Sequence, residues 1–364
     1  MASATDESLP NIQFGIMGCA EIAKKITRAI ALAPNASIIA VASRDAEKAR
    51  RFIASNALPE GTRAHGSYEA LIEDEGVEAV YIPLPTKLHV LWAVAAAAKG
   101  KHVLLEKPTA VNASDLDKIL AACEHNRVQF MDGTMWMHHP RTARMKEVLS
   151  DPGLIGPIQL IHSSCSFSAT PEFLENNIRI RPDLDSLGAL GDLGWYCIRA
   201  ILWAVDYQLP SSATALPAVH SNNAGVLLAC AASLHWDDGK VATFHCSFLS
   251  NTSMDISVHG ASGSLQLTDF GIPYREDSAS FELTTGAHFR ELHIGWSKTP
   301  EEVLVATYLP QEALMVQEFA RLVRLIRSSG GHPDPKWPGI SRKTQLVMDA
   351  VKRSIDLGFK SVTM

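Results

Sequence analysis

Cysteine is sparse and scattered: six residues in 364 (Cys19, Cys123, Cys165, Cys197, Cys230 and Cys246), with no C-x-x-C pair and no histidine at zinc-ligand spacing. This excludes a disulfide framework and a metal centre, and leaves reduced thiols, mostly in the core, as the expectation. Cationic runs longer than a pair such as Lys24-Lys25 are missing, and 33 Lys and Arg against 39 Asp and Glu give a net charge of −6. That balance carries no electrostatic footprint for nucleic acid or for an acidic membrane surface. Long apolar runs are absent as well. The uncharged stretch between Lys87 and Lys99 is too short to span a bilayer, and Tyr207 to Trp236 is broken by Pro210, Pro217, His220, Asn222 and Asn223. The opening Met1-Ala2-Ser3-Ala4-Thr5-Asp6-Glu7 has neither an apolar core nor an Arg-rich, acid-poor character. No export or organelle signal is read there, and a cytoplasmic protein is expected.

What remains is ordinary globular material of about two domains' length, 46% hydrophobic and 20% charged. Asn11 to Met17, Ser37 to Ala42, Val77 to Ile82, Lys101 to Leu105 and Val128 to Met131 read as strands alternating with helical patterns, with a short edge strand near Arg63 to His65. Alternation of this kind is the signature of βαβ units feeding a parallel sheet. In the helix Ala113 to Glu124, Leu116, Ile119, Leu120 and Cys123 fall on one apolar face. After Trp136 the pattern changes to period-two runs: Ile158 to Phe167, Gly225 to Trp236, Val241 to Leu249, Asp255 to His259 and Ser264 to Leu267, with a hairpin signal at Gly260-Ala261-Ser262-Gly263. One strong helix, Ala189 to Val205, interrupts this half; Glu312 to Ser328 and Ser341 to Leu357 close the chain, with Pro333, Pro335 and Pro338 between them. The fold class is therefore α/β: a Rossmann dinucleotide-binding domain over 10–135, then an α/β domain over 136–364 with a predominantly antiparallel open sheet. The final helix is free to pack back on the first domain.

The first strand runs into its helix through Gly18-Cys19-Ala20-Glu21-Ile22-Ala23. Aligned on G-x-G-x-x-G/A, Gly18 supplies the tight turn, Ala20 stands where backbone approaches a pyrophosphate, and Ala23 allows close packing of helix on sheet. The methyl group of Ala20 departs from the pattern, yet the N–H groups of the helix start still form an anion site. Without nucleotide, the same residues make a plain βα turn. The second strand ends Ser43-Arg44-Asp45, with Lys48 a turn later. Ser and Arg suit a ribose 2′-phosphate, because guanidinium grips phosphate bidentately, whereas an NAD site places a carboxylate there. NADP is expected over NAD, with Asp45 keeping the other reading open.

The fifth strand ends in Glu106-Lys107-Pro108, at the carboxyl edge where open parallel sheets bind ligands. Farther on, Asp192 and Tyr196 are four apart on a helix and so share one face. An ammonium beside the phenol would favour phenolate, so Lys107, Asp192 and Tyr196 form a candidate acid/base set. The structural alternatives are a surface lysine paired to Glu106, an aspartate that caps or forms a fold ion pair, and an amphipathic core tyrosine.

The βα turn, the Glu106-Lys107-Pro108 motif and the Asp192/Tyr196 helix together resemble the Gfo/Idh/MocA oxidoreductases, most closely the branch of dihydrodiol and NADP-dependent aldose dehydrogenases. The likeness covers essentially the whole chain, through Pro83-Leu84-Pro85-Thr86-Lys87-Leu88-His89, Gly260 to Leu267, and Pro338 to Ser341. It implies Lys107 as a catalytic lysine before a cis Lys-Pro bond, Tyr196 as proton donor or acceptor, and Asp192 as an orienting carboxylate. Leu84, Pro85, His89 and Glu106 would line the cofactor, the last three along the nicotinamide ribose, and the second-domain sheet would form a homodimer or higher homo-oligomer. Trp136, after the last Rossmann strand, is a candidate cofactor contact or an interdomain core residue. The adjacent His138 and His139 diverge and are not read as metal ligands, and Arg179 and Arg181 are read as ion-paired or as reaching an acidic group. The expected activity is hydride transfer between NADP(H) and a carbinol or carbonyl carbon of a small sugar, polyol or cyclic diol. The alternative is a nucleotide-binding sensor without turnover.

Overall fold

The computed structural model describes residues 10–292 and 294–364, so the Met1–Glu7 stretch read for targeting signals lies outside the described residues. Contacts divide the chain into two units: one of 10–110, 114–138 and 309–341, the other of 111–113, 139–308 and 342–364.

The first unit is built on β1 (Ile12–Met17), β2 (Ala36–Ala42), β3 (Arg63–His65), β4 (Ala79–Ile82), β5 (His102–Leu105) and β6 (Phe130–Asp132), in the order β3-β2-β1-β4-β5-β6. Every pairing is parallel. Strands covered on both faces must be apolar throughout, and Val80, Tyr81, Ile82, Val103, Leu104 and Leu105 are fully buried. Helices α1 (Glu21–Leu32), α2 (Ala46–Ser55), α3 (Tyr68–Glu73), α4 (His89–Ala98) and α5 (Ala113–His125) make the crossovers. As the periodicity requires, α5 buries Leu116, Ile119 and Cys123.

Residues 309–341, which a single cut after residue 135 assigns to the second domain, group with the first unit. The cause is an apolar helix face, which buries Ala313, Val316, Phe319 and Val323 and stacks Phe319 on Phe14 of β1 at 5.8 Å. The next helix begins at Lys336 rather than Ser341, taking Pro338 into its first turn, where a missing N–H costs nothing. Ser341 Oγ then donates to the Asp132 carboxylate at the end of β6 and lies 2.9 Å from the Trp337 carbonyl, which gives the Pro-x-x-Ser stretch a structural role.

The second unit opens with α6 (Pro140–Ser150), β7 (Ile158–Ser168) and α7 (Pro171–Asn176), and its main helix is α8 (Trp195–Ala204). Its other strands are β8 (Ser212–Ala215), β9 (His220–Ser221), β10 (Leu227–His235), β11 (Val241–Ser247), β12 (Leu249–Gly260), β13 (Gly263–Leu267), β14 (Ser278–Thr285), β15 (Glu301–Ala306) and β16 (Val362–Thr363). They form one sheet, β15-β14-β13-β12-β7-β11-β10-β8-β16, with β9 beside β10. Only β7 and β11 pair in parallel, so the sheet is mixed and mostly antiparallel. The Gly260–Gly263 signal is the β12–β13 hairpin, with His259 opposite Ser264. The helix expected over Ala189 to Val205 is not regular. Leu190–Gly194 is a π turn, with α8 following it. Two glycines within five residues weaken the α register there, and π turns concentrate at functional sites. The helices α9 (Gln311–Ser329) and α10 (Lys336–Asp356) complete the element order. No described helix is long and apolar enough to cross a membrane.

Arg141, in the first turn of α6, is 1% exposed and meets the Asp269 carboxylate, while its Nη2 donates to the Asp269 carbonyl at 2.9 Å and its Nη1 to Ser280 O at 3.0 Å. A buried guanidinium stripped of its carboxylate is an uncompensated charge. Asp269→Ala is expected to lower stability by about 3–5 kcal/mol. The denaturation midpoint reads this, and a shift below about 1 kcal/mol would show the pair to be dispensable.

Candidate active site

The first unit places its candidate residues along the carboxyl edge of its parallel sheet. Gly18 follows β1 with φ +114°, and a Cβ there would stand 3.0 Å from Leu84 Cδ2, so the position excludes a side chain and brings Leu84 against the turn. Ala20 is the N-cap of α1 and makes no side-chain cap bond, leaving the first-turn N–H groups of Glu21 and Ile22 unclaimed by a side chain. Glu21 is exposed and pairs with Lys24 at 2.8 Å. The Cys19 thiol lies 3.9 Å from the Lys48 carbonyl; burial raises its pKa while the Lys48 ammonium lowers it.

At the end of β2, Ser43 is buried and its N–H donates to His65 O at 3.1 Å, while Arg44 is exposed. Asp45, the sequence's alternative ribose ligand, is the N-cap of α2: its Oδ1 accepts the Glu47 N–H at 2.9 Å, and its side chain is otherwise exposed. Tyr68, which sequence reasoning missed, stands with this group. Its hydroxyl lies 3.8 Å from where a Gly18 Cβ would be, and its ring packs edge-on to Trp92 at 5.0 Å. Burial raises its pKa and the neighbouring Arg44 lowers it.

Glu106 closes β5 and is 8% exposed. Its Oε1 accepts the Tyr81 hydroxyl at 2.5 Å and its Oε2 the Lys107 N–H at 3.1 Å. Gly133 faces it so closely that a Cβ would stand 3.0 Å from Oε1. The Lys107–Pro108 bond is cis, and Lys107 is half-buried. His89 is fully enclosed, with Nε2 2.8 Å from Leu84 O and Nδ1 3.2 Å from Thr109 O. The neutral imidazole carries one N–H and so donates to one of these two carbonyls, while its ring fills the space between the loop after β4 and the loop after β5. Pro85 caps the short 3₁₀ turn Thr86–Leu88 that leads into α4.

The second unit carries Asp192 in the π turn and Tyr196 in the first turn of α8, both 6% exposed. Arg179, in the 3₁₀ turn Ile178–Ile180, reaches Asp192 with Nε 2.8 Å from Oδ1. Arg181 pairs instead with Asp183 at 2.8 Å. Sequence spacing brought Asp192 and Tyr196 together but gave no signal that Arg179, not Arg181, turns toward them.

The N-terminal part, residues 12–134, matches the Gfo/Idh/MocA profile described as an oxidoreductase family with an NAD-binding Rossmann fold, and residues 142–266 match a Gfo/Idh/MocA C-terminal domain. A D-xylose 1-dehydrogenase (NADP(+)) from Haloferax volcanii is 31% identical over 86% of this chain and 89% of the relative. The chain belongs to the Gfo/Idh/MocA oxidoreductase family. A dTDP-3,4-didehydro-2,6-dideoxy-alpha-D-glucose 3-reductase from Streptomyces antibioticus is 32% identical over 57% of this chain, and the match spans 61% of that reductase's length. The fold of a 3-ketoreductase from Actinomadura kijaniata, solved with NADP and TDP-benzene, superposes with a TM-score of 0.78 at 26% identity over 94% of this chain and 97% of the other.

Trp136 is 1% exposed, in the 3₁₀ turn Met135–His138. His138 stacks on Trp337 at 4.6 Å, and His139 caps α6 by accepting the Arg141 N–H at its Nδ1 (2.9 Å). Among the described residues no cluster of three His, Cys, Asp or Glu is arranged to hold a metal ion.

Two predictions follow from these contacts. Tyr81→Phe removes a donor from a buried carboxylate and is expected to cost about 1.5–3 kcal/mol, read from urea midpoints; an unchanged midpoint would mean Glu106 does not depend on Tyr81. The second concerns acid. His89, His102 and His139 are each pushed down to about 4, first by burial, then for His102 by Arg327 and for His139 by Arg141. His102 Nδ1 accepts the Gln129 N–H at 2.9 Å, which also requires a neutral ring. Because the unfolded chain takes up these protons first, stability is full above about pH 6.5 and falls toward pH 4, by up to about 1.4 kcal/mol per pH unit for each histidine. Equal urea midpoints at pH 7 and pH 5 would contradict this.

Proposed function

We propose that this oxidoreductase transfers a hydride reversibly between NADP(H) and a carbinol or carbonyl carbon of a small sugar, polyol or cyclic diol. The observation that carries the reading lies within the first unit. The uncapped start of α1, the Ser43-Arg44 strand end with Asp45 as the cap of α2, and Glu106-Lys107 before a cis proline all stand on one edge of a parallel sheet. The bare backbone at Gly18 and the unclaimed N–H groups fit a pyrophosphate, and an exposed Arg44 beside a buried Ser43 fits a 2′-phosphate.

When bound, the nicotinamide supplies hydride chemistry. The chain's residues do the rest. Gly18, Cys19, Ala20, Glu21 and Ile22 cradle the diphosphate, and Ser43, Arg44 and Lys48 hold the adenosine ribose with its phosphate. Leu84, Pro85 and Glu106 shape the nicotinamide end, with Trp136 behind it, and the His89 ring fills the space between the two loops. In the second unit Tyr196 gives or takes the hydroxyl proton and Asp192 orients that hydroxyl, and in the first unit Lys107 is the catalytic ammonium. The relatives' names support this choice of cofactor and substrate class: one is an NADP-dependent xylose dehydrogenase and one was solved with NADP. The same reading makes the protein a cytoplasmic homo-oligomer that pairs through the open face of the second unit's sheet.

The test is NADPH formation at 340 nm with NADP and a panel of aldoses and vicinal diols, beside NAD and beside Tyr196→Phe. Turnover with NADP that collapses in the variant is expected. Arg44→Ala is expected to shrink the preference for NADP over NAD by about 10- to 100-fold, the worth of a charge-assisted phosphate contact. Nucleotide binding with no turnover of any substrate would favour a sensor on the same fold.

A further inference from the structure

Arg179 reaches Asp192 in the second unit, and the proposed reaction assigns it no part. The turn that carries it is fixed from two sides. Asn177 caps it by accepting the Arg179 N–H at 3.0 Å, and Asn222 Nδ2 donates to Ile180 O at 2.8 Å. Asn222 is itself held, since its Oδ1 accepts the Ala224 and Val226 N–H groups at 3.0 and 2.9 Å. So much capping for a three-residue turn delivers the guanidinium to a set position, Nε 2.8 Å from Asp192 Oδ1. The Asp192 side chain is 9% exposed there while that of Arg179 is 35% exposed, so the arginine is the more solvent-facing partner of the pair.

We propose that Arg179 is a positioning residue acting through Asp192: it holds that carboxylate in one direction for a substrate hydroxyl, and by doing so fits the site to uncharged polyols rather than sugar acids. This rests on the functional reading above and deepens it. A carboxylate this buried has its direction set by the cation 2.8 Å away. With the partner in place it stays an acceptor of fixed direction, as orientation of a reacting hydroxyl requires. The charges also cancel locally. An incoming carboxylate or phosphate would have to compete with Asp192 for the guanidinium, whereas a neutral diol can bridge acceptor and donor without breaking the pair.

The experiment is a double-mutant cycle of Arg179→Gln and Asp192→Asn on kcat/KM, with Arg179→Lys as the conservative variant. Each is assayed with NADP and the best aldose of the panel, and with the matching uronic acid. Arg179→Gln is expected to lower kcat/KM by about 10- to 100-fold, and Arg179→Lys to recover most of the loss. On top of Asp192→Asn the arginine substitution should add less than about threefold, because a residue acting only through another has nothing left to act on. Asp192→Asn alone should raise the ratio of uronic acid to aldose kcat/KM by about tenfold, since the freed guanidinium then attracts the acid. Fully additive losses, no rescue by lysine, or an Arg179→Gln enzyme within about twofold of wild type would overturn the proposal while leaving the functional reading intact. A wild type that turns over no polyol would overturn both.

Discussion

A carboxylate buried at the end of a parallel strand is the constraint on which the rest of the first unit's candidate site depends. Glu106 sits where β5 leaves the sheet, and an ionised group in that position costs several kcal/mol unless its lone pairs are met. Two donors from different elements meet them, the Tyr81 hydroxyl from β4 and the Lys107 N–H from the loop itself, and the bare backbone of Gly133 beyond β6 leaves the carboxylate the room that a side chain would take. The Gly133 N–H in turn donates to Leu105 O at 2.7 Å, so the strand end and the facing backbone are locked together. Lys107 leaves the sheet from that anchored point. One loop farther, the His89 ring lies between the Leu84 and Thr109 carbonyls, and Leu84 presses on Gly18. The turn after β1, the loop after β4 and the loop after β5 are thus a single connected set of contacts, and Glu106 is at its centre.

The Rossmann half was largely legible because doubly covered parallel strands must be continuously apolar, and its five main strands and short edge strand all appear within a residue or two of where the sequence puts them. The second half was legible only where one face is solvated. β7, β10 and β11 alternate and were found; β8, β9, β14, β15 and β16 were not. β15 reads Glu301-Glu302-Val303-Leu304-Val305-Ala306, a charged edge strand whose composition guards against edge pairing and hides its period. The π turn at Leu190–Gly194 was invisible for a different reason: residues 187–205 are buried on every side, so the segment has no one-faced apolar period for an extra residue to displace.

The candidate residues were named from spacing, and spacing does not say which neighbour takes a given hydrogen bond. Asp45 lies beside Arg44 in the sequence and was a rival ligand; in the structure it accepts the N–H of Glu47. Arg179 and Arg181 are equivalent on paper, yet one reaches Asp192 and the other closes a local pair with Asp183. His138 and His139 part as their divergence implied, one to an aromatic stack and one to a helix cap. In each case competition for a helix N-terminus or a single carboxylate decides the role, and that competition is settled by the backbone path rather than by residue type.

Beside the Arg179–Asp192 pair, the second unit supports Asp192 and Tyr196 by packing. Every residue of α8 is buried, and beneath it the sheet is lined with small, weakly polar side chains. Cys230 and Cys246 face each other across β10 and β11 with their sulfurs 3.4 Å apart, Cys165 lies next in register on β7, and the Cys197 thiol of α8 donates to His245 O at 3.6 Å. Burial pushes the Cys197 thiol up, and the contact with Cys230 together with burial does the same to Cys246, so these groups behave as compact apolar filler and not as nucleophiles. Filler of that size lets the helix approach the sheet closely and leaves its phenol and carboxylate little freedom to move. A group that is to move a proton must hold its direction to a few tenths of an ångström, and a fully buried helix on a tightly packed sheet supplies that rigidity.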